Sequence, residues 1–201
     1  MQQPDQFEQQ PKCEIRRQQI LDAAAECFRR SGFHGASIAR ISSLAGMSAG
    51  HIYHFFANKE AIIAAIVAQK VARSLEMLSR FEAEDDVFAA ITNNIGPVLD
   101  EKMDPARAGI WLEVLAEAAR NPEVAKIVQD ADQIMRQRLL SLENTARDSR
   151  GITSQLNPEA VTEVVMAMFD GLANRSVQNP DLDKEEVARV MRVALQAILS
   201  A

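Results

Sequence analysis

The sequence predicts an all-α fold, and three observations carry that expectation. Aromatic residues are only 5% of the 201, while Ala, Glu, Gln, Arg, Leu and Met recur throughout, a balance that favours helix over sheet. Apolar residues return at helical spacing along most of the chain. An Asn or Asp directly before Pro, which places a cap beside a first-turn residue, occurs at Asp104-Pro105, Asn121-Pro122 and Asn157-Pro158. With 47% hydrophobic and 25% charged residues the chain has a globular composition, which excludes a wholly disordered or fibrous one. Its length suits one large domain or two small ones sharing a core.

Each element follows in turn. Residues 1–11 are Gln-rich, lack an apolar period and read as a mobile arm outside the fold. Ile20, Leu21, Ala24, Cys27 and Phe28 then form one stripe, closed by Ser31-Gly32. Two short helices at 37–45 and 48–56 are separated by Gly46 and Met47. Asn58 offers an N-cap to a long helix, 58–80, carrying Ile62, Ile63, Ile66, Val67, Val71, Leu75 and Leu78. Further helices are expected at 84–102, 105–120, 122–148, 158–177 and 184–199, the last opened by Asp183 with Glu186 three residues on, which makes nine. Pro97, inside the first of these, cannot donate to the carbonyl of Asn93, so a kink or break is expected there. The polar segment 148–157, with Gly151, is the expected flexible connection.

The formal charge of −6 is unevenly placed. Residues 12–59 hold seven Lys/Arg against three acids, a net of +4, whereas 60–201 hold 15 basic and 23 acidic residues, a net of −8. His34, His51 and His54, the three histidines, all fall in the basic block. That asymmetry suits a small module for a polyanion joined to a larger acidic body. Cys13 and Cys27 lie 14 positions apart on one helix, about 21 Å at about 1.5 Å per residue, too far to bridge. With no disulfide framework, metal-ligand spacing, cofactor motif or secretory leader, a reducing cytoplasm is expected. The uncharged run 41–58 contains Gly46, Gly50, three serines and two histidines, which argues against a membrane span.

The last two helices share a pattern. Val161, Val164, Val165, Met168, Phe169 and Leu172 repeat at the same offsets as Val187, Val190, Met191, Ala194, Leu195 and Ile198. Packed antiparallel they would bury one flank and leave Met166, Val193 and Ala197 on another. Either both serve only their own core, or a second copy of the chain completes a four-helix bundle.

Residues 37–53 are the most informative stretch and read as a helix-turn-helix. Ile38, Ile41, Leu44 and Ala45 form the buried face of the first helix, Gly46 permits the turn, and Met47 fills the angle between the helices. Ser48 caps the second helix, where Ile52 and Phe55 or Phe56 face inward while Ala49, His51 and Tyr53 or His54 face out. Small residues at its first turn let the helix approach a groove floor. On these residues the chain resembles the TetR family of bacterial transcription regulators: Ile41, Ala45-Gly46, Ser48, Gly50, Ile52-Tyr53, Phe55-Phe56, Lys59-Glu60 and Ile62 match its pattern in register. It departs at Ser42, where alanine is usual, and at Met47, where valine is usual. With the preceding helix, the match covers about a quarter of the chain.

The resemblance implies a DNA-binding domain at 12–59, a connector helix at 58–80, and a ligand-binding and dimerisation domain at 81–201. It implies a homodimeric regulator on a palindromic double-stranded operator, a repressor more than an activator, joined through the last two helices and released by a small effector of unknown identity. Phosphates would be met by Arg40, Lys59, the amide end of the helix after Asn58, and the hydroxyls of Ser37, Ser48 and Tyr53. His51, with His54 beside it, would read base edges, with Ala49 and Gly50 allowing close approach. An effector pocket would draw on Phe88, Ile91, Ile95, Trp111, Leu115, Met135, Met166 and Phe169, each of which is equally a plain core residue. Glu113, Glu117 or Asp170, if buried, would favour a cationic ligand.

An enzyme is the rival class. Asp85-Asp86, Asp100-Glu101 and Glu113 with Glu117 pair carboxylates, but no Ser-His-Asp set, phosphate loop or metal spacing joins them, and the body has no histidine to serve as a base. The expectation is therefore no enzyme and no cofactor. The second alternative is an adaptor that keeps the helix-turn-helix fold without binding DNA.

Overall fold

The computed structural model describes residues 6–201, with side chains from Lys12 onward. Among these residues there are ten helices and no strand: α1 (Gln6–Gly35), α2 (Ile38–Ala45), α3 (Ala49–Phe55), α4 (Lys59–Glu82), α5 (Val87–Asn93), α6 (Ile95–Lys102), α7 (Pro105–Ala118), α8 (Pro122–Asp148), α9 (Pro158–Gln178) and α10 (Lys184–Ser200). The tenth arises because the stretch expected as one kinked helix at 84–102 breaks at Asn94 (φ −99°, ψ 19°), which ends α5 and precedes α6. Pro97 thereby falls in the first turn of α6, where a missing N–H costs no intrahelical bond. Of the arm expected at 1–11, residues 1–5 lie outside the described residues, while 6–11 are helical backbone continuous with α1.

The caps that set these boundaries are side-chain acceptors. Asp104 Oδ1 accepts from the Arg107 amide at 2.9 Å, Asn157 Oδ1 from Ala160 at 3.1 Å, and Asp183 Oδ1 from Glu186 at 3.0 Å. Asn121 Oδ1 takes the Glu123 amide at 3.1 Å. Each satisfies an N–H that a helix start leaves without a partner.

The chain divides into two compact units, and the division runs through helices rather than between them. Unit 1 takes residues up to 68 together with Glu113–Ile127; unit 2 takes Gln69–Leu112 with Val128–Ala201. In unit 1 the α1 stripe of Ile20, Leu21, Ala24, Cys27 and Phe28 is buried, as are Ile41, Ile52, Ile62 and Ile63. Unit 2 holds two apolar clusters. One joins Ile95, Leu99 and Met103 of α6 to Val161 and Val165 of α9 and Ala188, Met191 and Leu195 of α10. The other joins Leu78 and Phe88 to Leu142, Ala146 and Leu199. The short helix α6 packs against both α9 and α10.

The segment 148–157 is anchored, contrary to its expected role as a free connection. Arg150 pairs with Asp86 at 2.6 Å and lies over the Phe88 ring, and the Gln155 amide donates to the Ala201 carbonyl at 3.2 Å. Among the described residues no helix is long and apolar enough to cross a membrane, and no three metal-binding side chains gather together.

Candidate nucleic-acid interface

The interface begins with a break in α1. At Gly32 the backbone leaves helical geometry (φ 67°, ψ 170°), a conformation costly for any residue with a Cβ. Phe33 is thereby turned inward, its ring 5.4 Å from that of Phe28. Ser37 then starts α2, its Oγ accepting the Arg40 amide at 3.2 Å.

On α2 the buried face is Ile41 and Ser42, with Ile38 and Ala45 half-buried. Leu44, expected inside, is 54% exposed. Its phase explains the correction: positions 38, 41, 42 and 45 follow the i, i+3, i+4, i+7 rule, and 44 points away from them. The buried hydroxyl of Ser42 donates to the Ala39 carbonyl at 2.9 Å, so serine is accommodated without an unpaired polar atom.

The turn closes on Gly46 (φ 65°, ψ 35°), with the Met47 amide donating to the Ser42 carbonyl at 2.9 Å. Ser48 caps α3 through its Oγ, which accepts the His51 amide at 3.2 Å and leaves the hydroxyl proton to be donated outward. Ile52 is fully buried and Phe56 buried behind it; Phe55 is half-buried. The opposite face, Ala49, Gly50, His51, Tyr53 and His54, is exposed, Tyr53 by 55%. The His51 ring lies 5.3 Å from Phe55 and 6.4 Å from His54, so aromatic neighbours limit its orientations. At Gly50 an added methyl would meet only Ser48 Oγ, at 4.0 Å. The fold itself therefore does not demand glycine there.

The cations are placed unequally. Arg40 is exposed on α2, whereas Lys59 is half-buried. Its Nζ donates to the Phe33 carbonyl at 2.7 Å and sits 4.3 Å from the centroid of the Phe33 ring. Asn58 Oδ1 caps α4 by accepting the Ala61 amide at 2.7 Å.

Five of the eight residues named for an effector pocket belong to two apolar clusters of unit 2 that share Leu139. Phe88, Ile91 and Met135 belong with the Leu142 cluster, and Ile95 and Phe169 with the α6, α9 and α10 cluster; Met166 is half-buried. Leu115 is 37% exposed and belongs to unit 1. Glu117 is 1% exposed, and its carboxylate already meets His34 Nε2 at 3.2 Å, Arg120 Nε at 3.0 Å and Asn121 Nδ2 at 3.2 Å. Glu113 is half-buried and Asp170 exposed, so none of the three is a buried carboxylate free to take a cation. Trp111 is half-buried beneath the ammonium of Lys70, 3.2 Å from its ring centroid. Lys70 was legible in principle, since it shares a helix face with buried Ser74 and Leu78 at i+4 and i+8.

Comparison with known proteins gives a consistent picture. Residues 20–66 match the family model for bacterial regulatory proteins of the tetR family, and 83–200 match that for the C-terminal part of BetI-type transcriptional repressors. The HTH-type transcriptional regulator UidR of Escherichia coli (strain K12) is 27% identical over 194 residues, covering 96% of this chain and 97% of that protein. The regulator BetI of Escherichia coli O139:H28 is 29% identical over 178 residues, 85% of this chain and 87% of its own. Among solved structures, Salmonella enterica GusR superposes with a TM-score of 0.79 at 28% identity, covering 93% of this chain and 96% of that one.

Proposed function

The chain belongs to the TetR family of bacterial regulatory proteins, with a BetI-type repressor C-terminal part, and we propose from this that it is a cytoplasmic repressor that grips a palindromic operator as a homodimer and lets go when an effector binds. One observation carries the DNA-binding part. The helix α3, capped by Ser48 and anchored by Ile52 and Phe56, turns Ala49, Gly50, His51, Tyr53 and His54 outward as one face. A face of this kind reads base edges in a major groove, while charge around it supplies affinity without sequence information.

The roles divide accordingly. His51 contacts a base edge, with His54 next along the face, and Gly50 and Ala49 give the clearance for it. Arg40, the hydroxyls of Ser37, Ser48 and Tyr53, and the first turn of α4 hold phosphates. Lys59 acts through position: its bond to the Phe33 carbonyl fixes the start of α4 against the segment after Gly32.

The dimer forms through the outer faces of α9 and α10. Val164, Ala167 and Gly171 on α9 and Val190, Val193 and Ala197 on α10 are exposed at helical spacing, with Val190 at 63% and Val193 at 66%. An apolar stripe made of small and β-branched side chains is poor surface for water and good surface for a second copy across a two-fold axis. Effector control requires a ligand that prefers the operator-incompetent arrangement, since equal affinity for both would shift nothing.

The test is a mobility shift with the promoter region of the chain's own operon. A salt-sensitive, palindrome-dependent shift is expected. No shift at low salt with any genomic fragment would overturn this reading in favour of a non-DNA-binding adaptor.

A further inference from the structure

Unit 2 half-buries a cation that, among the described residues, no carboxylate pairs with directly. Lys70 lies on α4 with its ammonium over the Trp111 ring, and among the described residues it makes no hydrogen bond and no ion pair. Lys102, in the last turn of α6, is also half-buried and also without an ion pair among them. The charged groups that bear on Lys70 are Lys102 and Arg73 on one side of the balance and Asp170 and Asp132 on the other. The nearby acids have other partners or stand in water. Glu101 is shared by Arg73 at 3.6 Å and Arg107 at 3.1 Å, Asp132 is bonded to Arg136, and Asp170 is exposed. Burial first, and then the like charge of Lys102, push the Lys70 pKa down to about 7.

An aromatic face holds an ammonium only weakly compared with a carboxylate. We propose that Lys70 and Lys102 are the recognition point for the effector's acid group, so that the effector is a small organic carboxylic acid whose anion meets the two ammoniums and whose apolar part lies against Trp111. This rests on the reading of the chain as an effector-released regulator, and it reverses the expectation of a cationic ligand. The arriving carboxylate replaces the ring as partner of Lys70 and favours its protonated form, so binding takes up a proton near neutral pH.

Trp111 is the one tryptophan of the chain, so its emission reports the site directly. Full-length protein is titrated with straight-chain alkanoates of two to twelve carbons, benzoate and phenylacetate, each beside its primary amide. At least one acid is expected to change Trp111 emission and to bind tenfold or more tightly than its amide. Because those acids stay ionised while Lys70 loses its proton, affinity should weaken roughly tenfold from pH 6 to pH 8. Lys70→Met should abolish the acid preference and Lys70→Arg should keep it; Lys102→Met should weaken it. Amides binding as well as acids, no acid altering the emission, or an acid preference that survives in folded Lys70→Met would each overturn the proposal. Operator binding is followed separately, without ligand: an intact operator complex with no acid binding sinks this inference alone, whereas loss of the operator complex in the unaltered protein sinks the regulator reading.

Discussion

Lys59 donates a hydrogen bond to the carbonyl oxygen of Phe33 at 2.7 Å, spanning 26 positions of sequence to tie the start of α4 to the chain just past the Gly32 break. Two roles for that lysine can therefore be separated by salt. Lys59→Met should cost about 1–2 kcal/mol of stability through the lost charge-assisted bond and weaken operator binding with little change in the slope of log K against log salt. Arg40→Ala, by contrast, should leave stability unchanged and reduce that slope by about 1. Thermal melts and binding isotherms over a salt series check both.

His51→Ala should relax selectivity at one operator base pair, by about 1–3 kcal/mol of discrimination, while affinity for non-operator duplex stays the same. Competition among operators varied at each position measures it; selectivity retained at all positions would refute the assigned role.

Gly50→Ala separates folding from recognition. The added methyl finds open space, with its nearest neighbour 4.0 Å away, so the melting temperature should be no lower than that of the parent. Operator affinity should fall about tenfold or more, because the methyl occupies the gap between helix and groove floor. Equal affinity of the two proteins would show that α3 does not approach the bases closely.

Val193→Asp places a charge on the exposed stripe of α10 without touching the core. It should raise the dimer dissociation constant about 100-fold and leave a folded monomer by light scattering, with operator binding lost in parallel. A dimer of unchanged strength would move the interface elsewhere.

Glu143 gives a pH signature. It is buried, one of its carboxylate oxygens accepts from Thr162 at 2.7 Å, and the other has no hydrogen-bond partner. Burial raises its pKa above the ordinary 4.5, against the pull of the Thr162 bond and Arg147. With the folded value above the unfolded one, its contribution is complete below the unfolded pKa and is lost as pH rises through the folded one. Glu143→Gln should therefore gain about 1 kcal/mol, roughly 2–4 °C in Tm, at pH 8 and nothing at pH 4.5. A Tm difference that stays constant across that range would rule this out.

Local signals were the legible ones. Ser48, Asn58, Asp104, Asn121, Asn157 and Asp183 all cap helices as their identities and positions suggest, because a cap is decided within four residues. Leu44 is apolar, yet its angle on the helix turns it outward and puts Ser42 inside instead. The Lys59 to Phe33 bond and the Lys70 to Trp111 contact join residues 26 and 41 positions apart, and no pattern along one helix specifies such partners. Leu115 and Trp111 look alike in an amphipathic α7, yet one is exposed in unit 1 and the other half-buried in unit 2.

Unit 1 recruits Glu113–Ile127 from far along the chain, and the Glu117 carboxylate in that segment lies 3.2 Å from His34 Nε2. The reading head is consequently not an excisable piece: a recombinant 1–68 fragment would leave His34 without its carboxylate and expose whatever the recruited segment covers. Chimeras that graft this head onto a relative's sensor need three junctions in the gene rather than one, with 113–127 travelling alongside its N-terminal companion.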